Sequence, residues 1–120
     1  MTLLDGPTGS FLGAVRTWDQ WNVGFPLARL TIEPAALHLG FSLLPTTRHR
    51  TVERDEVHAI VITSIWWEGE LLGIVAPGSR LHGWAFGVPF RQVACREAVE
   101  AAGWDIDPGQ RTYAEFRALL

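Results

Sequence analysis

An almost unbroken apolar run, Ala59 to Ile65, follows a charged bend made by Glu53, Arg54, Asp55 and Glu56. The run is rich in β-branched residues, whose stiff side chains suit a pleated surface. It is apolar on both alternating faces. That predicts a strand from about Val57 to Ile65 covered on both sides. A short strand at about Arg50–Glu53 is expected on the other side of the bend.

Other segments alternate instead. In Leu27 to Ile32, Ala28, Leu30 and Ile32 oppose Arg29 and Thr31. After a turn at Glu33-Pro34-Ala35, Leu37, Leu39 and Phe41 resume the alternation, with His38 and Gly40 on the opposite face. This is the pattern of a hairpin. Ser42 to His49 reads as a polar loop interrupted by Pro45. A turn at Glu68-Gly69-Glu70 precedes a second hairpin, Leu71–Ala76 and Leu81–Gly87, joined by Pro77-Gly78-Ser79-Arg80. Two patterns compete near the N-terminus. Phe11, Leu12, Val15, Trp18 and Trp21 fit a helical stripe, and an irregular strand fits as well. The indoles carry large apolar areas, so this segment is expected to pack on the rest.

Pro89 to Ala102 is the clearest helix. Pro89 suits the first helical position. Phe90, Val93, Ala94, Ala98 and Ala101 form a stripe with Glu97 as its exception, which predicts Phe90, Val93 and Ala94 against the strands. Gly103 suits the left-handed residue that ends a helix, and Trp104 and Ile106 can fold back. Pro108-Gly109 is expected to break the chain before a short helix at 112–120, with Tyr113, Phe116 and Leu120 on one face.

Composition narrows the function classes. A chain of 120 residues with 48% apolar content is expected to form one globular domain. The net charge of −3 gives no reason to expect nucleic-acid binding. One cysteine, Cys95, excludes an internal disulfide and suits a reducing compartment. The N-terminus lacks the basic start of a signal peptide, and no apolar run approaches the roughly 18 residues of a membrane span. The cytoplasm is the expected location. Lysine is absent, which removes Schiff-base, P-loop and Ser–Lys chemistry and hints at a bacterial source.

Few residues offer chemistry. The four histidines, at 38, 49, 58 and 82, lack local metal spacing, and no second cysteine is present. Cys95 reads as a structural thiol inside the helix. No catalytic residue, metal site or cofactor is expected. Arg48, Arg50 and Arg54 form the one basic cluster, a candidate anion contact because guanidinium forks suit phosphate and carboxylate. Acidic neighbours dilute its field. Trp66 and Trp67 end the apolar run. Adjacent strand residues face opposite ways, so one indole is a candidate interface anchor. Glu68 and Glu70 beside them oppose contact with anionic lipid headgroups.

The order of these segments resembles a family. ARLTIEPAALHLGF, RTVERDEVHAIVI, LHGWAFGVP and the helix ending EAAGWDID are similar in pattern to bacterial pleckstrin-homology-like domains. The resemblance implies an α+β fold: a strongly bent antiparallel sheet or partly open barrel capped by a C-terminal helix. It covers residues 26–107, leaving 1–25 as an N-terminal segment packed on the domain and 108–120 as a short terminal helix. It implies a non-enzymatic interaction or scaffold module, with self-association or a protein partner. A binder of small apolar ligands and a small hydrolase are the alternatives.

Overall fold

The computed structural model describes residues 9–17, 22–43, 46–65 and 69–120. The strands are β1 (Gly9–Arg16), β2 (Asn22–Ile32), β3 (Ala36–Leu43), β4 (Thr46–Glu53), β5 (Ala59–Ile65), β6 (Gly69–Val75), β7 (Ala85–Gly87) and β8 (Ile106–Thr112). Two helices, α1 (Gln92–Ala101) and α2 (Tyr113–Arg117), follow β7 and β8. Among the described residues eight strands join one open sheet, in the order β4-β3-β2-β1-β7-β6-β5-β8. Neighbours are antiparallel except β5 and β8, which run parallel. The class is therefore α+β, with a largely antiparallel sheet.

The sheet folds over so that its two halves share an interior. Leu30, Leu37, Leu39 and Phe41 from β2 and β3 lie in the same core as Ile60, Ile62, Leu72 and Ile74 from β5 and β6. Helix α1 closes this core with Cys95, Val99 and Ala102. Its end is a Schellman motif: Gly103 N–H donates to Glu100 O and Trp104 N–H to Val99 O, with Gly103 at φ 92°. Trp104 is then buried, and its Nε1–H donates to Glu33 O at 2.8 Å.

The half formed by β5, β6 and β7 has a second covered face. Val61, Leu71, Val75 and Ala85 meet Phe116 of α2 there. Phe116 sits directly on Gly73, where an added Cβ would come within 2.6 Å of its ring. The central apolar run therefore needed no polar face, because α1 and α2 lie on opposite sides of it.

Several expectations change. The expected loop from Ser42 to His49 is mostly strand, since β3 reaches Leu43 and β4 starts at Thr46. Alternation carries this hairpin through polar residues because cross-strand pairing needs backbone groups, not apolar side chains. Of the two patterns that compete near the N-terminus, the irregular strand is the one formed, over Gly9–Arg16 with a register shift between Gly13 and Val15. Leu81 to Gly83 is a turn held by His82 N–H to Ser79 O and Gly83 N–H to Ile74 O, which leaves β7 only Ala85–Gly87. Pro108-Gly109 does not break the chain. β8 passes through both residues, and the ladder to β5 skips them between Val61 and Ile62. A bulge tolerates a residue without an N–H.

The helix face also changes. Phe90 is 97% exposed and Val93 57% exposed, whereas Ala94 is half-buried as expected. The helix begins at Gln92, so Phe90 lies outside it and does not follow its phase. Val93 stands about 200° around the helix from Cys95 at 3.6 residues per turn. Glu97 shares that outer side, which explains the apparent exception in the stripe. Leu120 is 39% exposed rather than packed with Phe116, because α2 ends at Arg117.

Candidate interaction site

Arg48 and Arg50 lie on β4, opposite Phe41 and Leu39 of β3. Directly opposed residues share a face, so both arginines belong to the inward side of the sheet at its edge. Arg50 Nη1 donates to the His49 carbonyl at 3.2 Å. Charged inward residues of this kind blunt a strand edge against pairing with another chain.

Arg54 is committed elsewhere. Its guanidinium donates to Pro34 O at 2.7 Å and to Gly103 O, and it stacks over the Trp104 ring at 5.1 Å. These contacts tie the β2–β3 turn to the end of α1. Arg54 also borders a hollow of about 150 Å³ with His58, Trp104 and Asp105. The structure thus separates Arg54 from Arg48 and Arg50 in role as well as place. Trp66 and Trp67, like Trp18 and Trp21, lie outside the described residues.

The histidines do not gather. Among the described residues no group of three or more His, Cys, Asp or Glu side chains could hold a metal ion. His38 Nδ1 meets Thr51 Oγ1 at 2.9 Å, and its Nε2 lies 3.2 Å from Glu33 Oε1. The sequence of hydroxyl, imidazole and carboxylate follows that of a nucleophile, base and orienting acid. All three stand on the outer face of the sheet, where His38 and Glu33 are each more than a third exposed. His82 Nδ1 instead accepts the Ala76 N–H at 2.9 Å. Cys95 is buried, and burial pushes its thiol from 9.0 up to about 12 despite an opposing pull from Arg91. A thiol held protonated is a poor nucleophile.

Two features were not legible beforehand. One is Phe90, held at φ 66° immediately before α1. A left-handed backbone is costly for an aromatic residue. Pro89 and Arg91 on either side carry no signal for it. Val93 is exposed as well, with the exposed Glu97 and Glu100 on the same side of α1. Arg91, also exposed, lays its guanidinium over Phe11 at 5.0 Å. The other feature is a cleft lined, among the described residues, by His82, Ala114, Arg117, Ala118 and Leu120. Its parts are far apart in sequence and meet only through the sheet.

No protein-family model matches this chain. No curated protein and no solved structure matches it significantly. No helix among the described residues is long and apolar enough to cross a membrane.

Proposed function

We propose that this domain is a non-catalytic interaction module of pleckstrin-homology-like type that self-associates through the exposed Phe90, which precedes α1, and the Val93 side of that helix. One observation carries the reading: Phe90 is 97% exposed while its backbone sits at φ 66°. Within a single chain such a residue costs twice, in strain and in exposed apolar surface. A second chain that covers the ring offsets both. The void enclosed by Leu30, Leu37, Ile60, Leu72, Ile74, Phe86 and Val99 is about 10 Å³, room for no organic ligand. That favours an exposed contact over an apolar ligand held in this core.

Glu97 and Glu100 are exposed on the Val93 side of α1, and neither makes an ion pair among the described residues. The bent sheet with α1 across its mouth supports the pleckstrin-homology-like part of the reading. β8, parallel to β5, is then an addition to it.

The test is sedimentation of the wild type, Phe90→Gly and Phe90→Asn across a wide concentration range. Glycine and asparagine accept a left-handed backbone. Both variants should be monomeric and as thermally stable as the wild-type monomer, or more so. A wild type that stays monomeric at its solubility limit overturns self-association, as do variants that still dimerise.

A further inference from the structure

We infer that the cleft between the 81–83 turn and α2 binds an amphiphilic carboxylate, an alkyl chain ending in a carboxylate group. The cleft has a volume of about 480 Å³, within the usual range of small-molecule sites. Its walls divide by chemistry. Ala114, Ala118 and Leu120 supply apolar surface, and His82 and Arg117 supply the polar groups.

The polar groups are both donors. His82 Nδ1 accepts the Ala76 N–H at 2.9 Å, so the ring proton of the neutral imidazole lies on Nε2. That nitrogen has no protein partner among the described residues. Arg117 is exposed and makes no ion pair among them. An arginine and a histidine lining one cleft offer a guanidinium fork and a ring N–H, donors that suit an anion with planar oxygens. The α2 carbonyls at Ala114, Phe116 and Arg117 accept the N–H groups of Ala118, Leu119 and Leu120. Ala114 and Ala118 stand one turn apart, and their small side chains leave a trough for a chain of methylene groups. Each methylene removed from water adds to the affinity. Neither an ion nor a plain alkane satisfies both ends. The site uses none of the residues of the Phe90 face.

The probe is octanoate below its micellar concentration, titrated into the whole chain and followed by amide chemical shifts. Octanol tests the chain without the charge, and acetate the charge without the chain. Saturable octanoate binding should shift His82 and Ala114–Leu120, with octanol and acetate at least tenfold weaker. Arg117→Gln, at an exposed position, should leave the fold intact and weaken octanoate at least tenfold while leaving octanol unchanged. Octanol as tight as octanoate, shifts confined to other residues, equal binding by Arg117→Gln, or no saturable binding would each overturn the assignment.

Discussion

The two halves of the sheet solve the same packing problem differently. In β2 and β3, buried Leu30, Ile32, Leu37 and Leu39 alternate with Arg29, Thr31 and His38, which face water on the outer side. In β5 and β6, Ile60, Val61, Ile62 and Thr63 are all buried, as are Leu71, Leu72 and Ile74. The first half has one covered face and the second has two, because α2 lies only over the second. Polarity on the outer face therefore reports whether another layer exists. Thr63 shows the cost of the second layer. Its Oγ1 is buried and makes no hydrogen bond among the described residues, whereas Thr31 on the other half is partly exposed.

The comparison can be broken most severely at Phe116, the residue that makes the second layer. Phe116→Ala should cost about 3–5 kcal/mol in urea unfolding, since the ring is fully buried on Gly73. A loss below about 1 kcal/mol would mean that α2 is not part of the cooperative core.

Cys95 reads the shared interior rather than either outer face. Between pH 9.0 and about 12 the unfolded chain releases the thiol proton while the folded chain keeps it. The unfolded state then binds fewer protons, so stability falls as pH rises through that window, by at most about 1.4 kcal/mol per unit. Cys95→Ala should remove this alkaline slope. Equal slopes in both proteins would show that α1 does not seal the thiol from water.

The smallest effects sharpen the comparison through one substitution made twice. Thr63→Val should stabilise by about 1 kcal/mol, because it replaces an unpaired buried hydroxyl with a methyl group. Thr31→Val, on the outer face of the other half, should stay within about 0.5 kcal/mol of wild type. Equal changes at the two sites would place their hydroxyls in equivalent surroundings. Calorimetric midpoints of the two variants decide it.

Much of the frame was legible in the chain. The alternation from Ala28 to Phe41 marked a one-sided hairpin, and the unbroken run at Ala59–Ile65 marked a strand with both faces covered. Gly103 and Trp104 marked the end of α1, because a left-handed residue followed by an apolar one is a local device. These features depend on neighbours a few residues apart, where backbone geometry and side-chain period act directly. What stayed hidden depends on distant partners. The parallel pairing of β8 with β5 needs a crossover through β6, β7 and α1. The outward turn of Phe90 depends on where α1 begins, which its docking decides. Arg54 was grouped with Arg48 and Arg50 by proximity in sequence, yet it bonds carbonyls on two other elements. His82 and Arg117 share a cleft only because the sheet brings the 81–83 turn to α2. Local pattern thus determined the strands, the turns and which faces are apolar. Tertiary packing decided which faces were covered, and which polar groups were left facing a cleft.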